Sequence, residues 1–265
     1  MRKLLGQIER LYFDGDRRIG PRHAFMLSEL ARRGCVPHVD RYQNIWVQKG
    51  SGHPVILYSS HMDIDPKVGR RNFRRHRPSD SSLVGGILDN AVGCALNIIL
   101  AQSGPRSGTG IYVFTASEEV DRKNDRRFAR SAREVARELA SRRIKPDLCI
   151  AVDVTYPGLL HHHQNLDWSR KHHELFHVDD ETHCYLDGYS DARSKRIGEG
   201  LVKRFKHPHV HLRAFPGYDE AIVYSKIAPS FAFGPVVHGS FDKPKQEMPL
   251  AHAATALKFL KRIRI

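Results

Sequence analysis

Four apolar runs in this chain each end in a residue that can bind a metal. VILYSS runs into His61-Met62-Asp63, IYVFTAS into Glu118-Glu119, LCIAV into Asp153, and FAFGPVV into His238. A further carboxylate, Asp89 in GGILDNAVGCA, stands where a helix should begin. Histidine and carboxylate donors together suit zinc, with cobalt or manganese as alternatives. His61 and Asp63 are two apart on a strand end, so both can point to one face. That spacing suits a His ligand whose second ring nitrogen is oriented by a carboxylate behind it. Adjacent Glu118 and Glu119 repel each other, and burying either costs several kcal/mol unless a cation neutralises it. One of the pair can bind a metal while the other takes a proton from water. Each of these signals taken alone also reads as an ordinary solvated or capping residue; their order along the chain sets them apart.

These residues need a scaffold that gathers them. Short continuous apolar runs are what parallel strands buried on both faces look like. In open α/β sheets, ligands bind outside the carboxyl ends of the strands. The pattern predicts helices over the first dozen residues, 21–34, 89–101, 126–143, 190–205, 219–225 and 249–262. Strands are expected at VPHVD, NIWVQK, 55–59, 111–115, 148–154, 210–214 and 230–237. Strands alternating with helices argue for an α/β three-layer sandwich, a mainly parallel mixed sheet with helices on both faces. Residues 63–86, with the cluster GRRNFRRHRPSD, read as a loop that could overhang the pocket. The histidine-rich stretch 161–183 reads as a polar loop, with an extra metal site or a pH-sensitive lid as the alternative. Asp219 and Glu220 lie between two sheet-edge elements and are candidates for approaching a substrate.

Length and composition set the outer bounds. A chain of 265 residues can bury roughly 70–75% of its unfolded surface in one core, and one catalytic domain spanning 1–265 is expected. No stretch reaches the ~18 apolar residues of a membrane helix. The charged N-terminus lacks the apolar centre of a signal peptide. Cys35, Cys94, Cys149 and Cys184 form no CxxC pair, which points to a reduced, cytoplasmic protein. The formal net charge of +14 admits nucleic acid or acidic substrates as partners. No nucleic-acid motif accompanies it, so a nucleic-acid role is not expected.

The ordered set SSHMDID (59–65), GGILDNAVGCA (85–95), TASEEV (115–120), AVDVTYPG (151–158), PGYDEA (216–221) and VVHGSFDKPKQEM (236–248) resembles the dinuclear-metal aminopeptidases. AVDVT and GYDEA look most like their glutamyl/tetrahedral branch. The resemblance implies that His61 and Asp153 hold one metal and Glu119 and His238 the other. It further implies that Asp89 bridges the two and Glu118 is the general base; Asp63, from its spacing, is the carboxylate that orients His61. The peptide bond after the bridging Asp is often cis in that family. The expected activity is removal of N-terminal residues from small peptides or aminoacyl substrates. That branch carries a large inserted domain, yet only 27 residues, 62–88, separate His61 from Asp89. The insertion is therefore missing or vestigial, and a large cage assembly is not expected. Two other readings stay open: an amidase or deacylase for small N-acyl or acidic substrates, and a non-catalytic basic binding protein on a decayed peptidase fold.

Overall fold

The computed structural model describes residues 1–11, 13, 20–65, 68, 78–119, 129–156, 182–187, 191–212, 219–239 and 245–265. The Arg70–Arg77 cluster and residues 161–181 of the histidine stretch lie outside them.

The strands are β1 (His38–Val39), β2 (Ile45–Gly50), β3 (Val55–His61), β4 (Leu83–Gly86), β5 (Thr109–Thr115), β6 (Leu148–Val152), β7 (Cys184–Asp187), β8 (Val210–Leu212), β9 (Ser230–Pro235) and β10 (Gln246–Pro249). The helices are α1 (Arg2–Ile8), α2 (Pro21–Arg32), α3 (Ala91–Ser103), α4 (Arg130–Ser141), α5 (Ala192–Phe205), α6 (Ala221–Tyr224) and α7 (Leu250–Leu260). Eight strands form one sheet in the order β1-β2-β5-β3-β6-β9-β7-β8. The central quartet β5-β3-β6-β9 is parallel, while β1, β2 and the β7–β9 pairing are antiparallel. This is the mainly parallel mixed sheet that the apolar runs imply.

Alternation along the strands divides the core. Ile45, Val47, Ile56, Tyr58, Tyr112, Phe114, Ile150 and Phe231 face a large layer built with α1, α2, α3 and α7. Trp46, Leu57, Ile111, Val113 and Cys149 face the opposite layer, built with α4 and α6. Each fully buried Leu, Ile or Phe contributes about 1.5–3 kcal/mol. Helix α3 is buried nearly all round, with Val92, Ala95, Leu96 and Leu100 inside. It therefore locks the β3 and β6 ends beneath the site.

Three short strands escape the sequence pattern. β4 and β10 pair with each other antiparallel, Gly86 opposite Gln246, although 63–86 reads as loop. Their partner is some 160 residues away, and four-residue strands carry too little periodicity to be read. β7 lies at the end of the histidine-rich stretch, where polar residues hide the apolar Cys184 and Leu186. The four cysteines are free and buried. No helix among the described residues is long and apolar enough to cross a membrane.

Candidate metal centre

Because β3, β5, β6 and β9 run parallel in register, their carboxyl ends share one edge of the sheet. His61 is the last residue of β3 and pairs with Thr115, the last of β5. Glu118 and Glu119 follow three and four residues later. Asp153 follows directly on β6 and His238 comes shortly after β9. Asp89 arrives from the other side, on the turn that enters α3.

The structure brings four of the five expected ligands together with Glu118, the expected base. His61, Asp89 and Asp153 present ligand atoms all within 4.8 Å of one another, and so do His61, Glu118 and Glu119. His61 Nε2 lies 3.0 Å from Asp89 Oδ1 and 3.5 Å from Asp153 Oδ2. His238 stands outside both groups: its side chain is exposed and its backbone pairs with Glu247 at 2.8 and 2.9 Å.

Asp63 holds two parts of this cluster at once. Its carboxylate accepts the backbone N–H of Glu118 at 3.0 and 3.1 Å and that of Glu119 at 3.0 Å. Its Oδ1 lies 3.3 Å from His61 Nδ1, and its carbonyl 3.2 Å from the same atom. The inner ring nitrogen of His61 is thus committed, and Nε2 faces the carboxylates.

The turn bearing Asp89 is held by groups that the sequence pattern does not single out. Gln246 Oε1 accepts from the backbone N–H of Leu88 at 2.6 Å and of Asp89 at 3.1 Å. The Tyr156 hydroxyl donates to Asp89 Oδ2 at 3.1 Å. The Asp89–Asn90 peptide is cis, as the resemblance implies. The helix cap is Asn90 rather than Asp89: Asn90 Oδ1 accepts from Gly93 N at 2.7 Å. Its Nδ2 donates to the Val152 carbonyl at 2.8 Å and ties α3 to the end of β6. Asp89 is left to face His61 because its neighbour satisfies the helix start.

Two glycines permit these approaches. A Cβ on Gly93 would lie 2.1 Å from the Val152 carbonyl, and one on Gly234 would lie 1.3 Å from the Asp153 carbonyl. Only residues without a Cβ let α3 and β9 pack this closely against the strand end that carries Asp153. Below the site, buried Arg22 donates to the carbonyls of Leu11 and Met62, both at 2.8 Å. It thereby pins the peptide between His61 and Asp63. A lone arginine in an otherwise ordinary amphipathic helix gives no sequence signal for that role.

Glu220 sits near the carboxyl ends of β3 and β5. It is buried and accepts from the hydroxyls of Ser59 and Thr115. Burial pushes its carboxyl up to about 7. Asp219 Oδ1 accepts from Ala221 N at 2.6 Å at the start of α6.

The electrostatics describe a cage of crowded acids. Burial pushes Glu118 well above the usual carboxylate range, against the pull of His61 and with the help of Glu119. Burial likewise raises Glu119, reinforced by Asp89. It also raises Asp153, against the pull of His61. Burial works against a charged His61, but Asp153, Asp63 and Asp89 outweigh it and the imidazole is raised well above its ordinary value. Four carboxylates around one imidazole, Asp89 and Glu118 buried and Glu119 and Asp153 half-buried, are a poor arrangement without added positive charge. Divalent cations relieve that repulsion, so the donor set fits a metal centre.

Solved structures with the same architecture settle the fold. The TET1 peptidase of Pyrococcus horikoshii, which can assemble into a tetrahedron or a large octahedral shell, superimposes with a TM-score of 0.66 at 12% identity, over 97% of this chain and 98% of that one. The aminopeptidase APDkam598 from the archaeon Desulfurococcus kamchatkensis gives 0.70 at 12% identity, over 98% and 93%. The fold is that of the tetrahedral aminopeptidases. A protein named endoglucanase from Thermotoga maritima shares it, with a TM-score of 0.62 at 14% identity over 97% and 95%. No protein-family model and no curated protein matches the chain. Within that fold, this chain gathers His61, Asp89, Glu118, Glu119 and Asp153 at the carboxyl edge of the sheet.

Proposed function

We propose that this protein is a metal-dependent aminopeptidase that hydrolyses N-terminal peptide bonds of small peptides. The observation that carries the reading is the shared position of His61 in two donor groups at the carboxyl edge of a tetrahedral-aminopeptidase sheet. In this reading His61 and Asp153 would hold one cation and Glu119 and His238 the other, with Asp89 available to either. Bound there, two divalent ions, zinc by donor type with cobalt or manganese suited to the same set, would polarise the amide carbonyl and acidify a water.

The chain's own groups supply the rest. Glu118, buried and raised in pKa, takes the water proton and returns it to the departing amine nitrogen. Such a general base contributes ~10²–10⁴ in rate. Asp63 keeps Glu118 in reach by holding its backbone N–H, and sets the tautomer of His61. Tyr156 and Gln246 steady Asp89. The apolar floor of β3, β5 and β6 excludes water from below. The whole chain acts as one catalytic domain, in a reducing cytoplasmic setting. The fold alone is compatible with either a small or a cage-like assembly.

Glycoside cleavage, raised by the Thermotoga neighbour's name, is the weaker reading. Most glycosidases work with a pair of carboxylic acids flanking the bond, whereas here an imidazole sits at the centre of the acids.

Metal-loaded protein should cleave aminoacyl p-nitroanilides with a free amino group and leave their N-acetyl forms and β-glucan intact. Release of acetate from the N-acetyl forms, without cleavage of the free-amine anilides, would establish the deacylase reading. Bound metal without turnover on any of these would favour a binding protein on the peptidase fold.

A further inference from the structure

Away from the candidate centre, α5, α7 and the segments after α3 and α7 enclose a cavity of about 410 Å³. Its apolar wall is Leu201, Phe205, Phe259 and Ile263, all buried. Its rim carries Arg106, Arg204, Arg262 and Arg264. None of these eight residues is a candidate metal ligand, and among the described residues no acidic side chain lines the cavity.

The wall is rigid. Phe205 and Phe259 meet edge to face with ring centres 5.2 Å apart. The Arg262 guanidinium lies 5.5 Å over the Phe205 ring. Arg204 Nη2 donates to the Arg264 carbonyl at 2.7 Å, which ties the chain after α7 to α5. Among the described residues, none of the four arginines is in an ion pair with an acidic side chain, unlike Arg32, Arg33, Arg130 and Arg142 elsewhere on the surface. His207 stacks on the same Phe205 ring with centres 5.3 Å apart.

Four guanidinium groups with no acidic partner repel one another, and a shared anion relieves that repulsion. Arginine forks bind carboxylate and phosphate oxygens in pairs. The cavity volume falls within the range of small-molecule sites, roughly 300–1,000 Å³. Its aromatic and aliphatic wall suits an apolar body. We infer that this cavity is a binding site for a small organic anion, one with a carboxylate or phosphate head held by Arg204 and Arg262 and an apolar body against Phe205 and Phe259. The site is independent of the proposed peptidase chemistry.

Calorimetric titration of the full, metal-loaded chain with 4-phenylbutyrate and with phenyl phosphate tests this and separates the two head groups. Saturable one-site binding of at least one of them is expected, with 4-phenylbutyramide and inorganic phosphate binding much more weakly. Arg204→Gln and Arg262→Gln should each weaken binding about tenfold, the scale of a charge-assisted hydrogen bond. Arg137→Gln, which removes an exposed charge on α4, should leave it unchanged. All three replaced residues are exposed, and the melting temperature of each variant checks that the fold is kept. Equal binding of the neutral amide, or equal loss in Arg137→Gln, would overturn the inference. So would binding that survives Arg204→Gln/Arg262→Gln and disappears on chelation, which would put the anion at the metal centre. An absence of saturable binding by both anions would also overturn it.

Discussion

The carboxylate of Asp63 accepts the backbone N–H of Glu118 at 3.0 and 3.1 Å. This ties the end of β3 to the loop after β5. One side chain therefore sets both the orientation of His61 and the place of the proposed base. Asp63→Ala removes an acceptor shared by the buried N–H of Glu118 and the part-buried N–H of Glu119, at a cost of about 1–3 kcal/mol for a buried group left unpaired. It should lower the melting temperature and weaken metal affinity about 10–100-fold. Thermal unfolding and competitive chelator titration measure the two effects.

Glu118→Ala should retain about two bound metals and lose turnover by ~10²–10⁴. Metal content by mass spectrometry, beside a p-nitroanilide assay, reads both. Turnover at the wild-type level would remove Glu118 from the role of base.

His238→Ala should lower metal content from about two equivalents to about one, if the exposed His238 closes on the second cation as the reading requires. An unchanged stoichiometry would leave the second metal to Glu119 and Asp89 without it.

Chelation should destabilise the fold, because the crowded carboxylates lose the charge that relieves them. A metal at a hundred times its dissociation constant stabilises by about 2.7 kcal/mol per site. The melting temperature should fall on chelation and rise again with zinc concentration.

Glycine at 234 should prove hard to replace. In Gly234→Ala the new methyl collides with the Asp153 carbonyl. Overpacking of this kind costs about 1–3 kcal/mol, and the strain falls on a proposed ligand. Lower stability and lower metal affinity should appear together; loss of neither would mean that β9 shifts freely.

His183 offers a pH test. Its ring lies 4.4 Å from that of His209 and 4.6 Å from that of His252. Its Nδ1 is 2.9 Å from Thr255 Oγ1. Burial, then repulsion from His252, His209 and His207, holds its pKa down to about 4, against an ordinary 6.5. Between those values the unfolded chain binds more protons than the folded one. The stability His183 contributes is thus complete above about pH 6.5 and is lost as pH falls towards 4. In His183→Gln, the drop in melting temperature between pH 7 and pH 5 should be smaller than in wild type.

Much of the sheet was legible in the sequence because buried parallel strands are written as unbroken apolar runs. Val55–His61, Thr109–Thr115, Leu148–Val152 and Ser230–Pro235 all lie where such runs stand, and each precedes a donor. Helix α3 was legible from Val92, Ala95, Leu96 and Leu100. The residues that shape the site from behind were not. Gln246 reaches Asp89 from a strand some 160 positions away, Tyr156 follows Asp153 without any periodic signal, and Arg22 looks like one more surface charge on a short helix. These act through single long-range hydrogen bonds, which leave no spacing to read. The sequence by itself determined which donors exist and that strand ends must carry them, since side-chain type and hydrophobic period are local properties. The tertiary structure decided which donors meet. Strand order and register placed His61 between Asp89, Asp153, Glu118 and Glu119 and left His238 exposed, because neighbourhood across a sheet is set by pairing between distant segments.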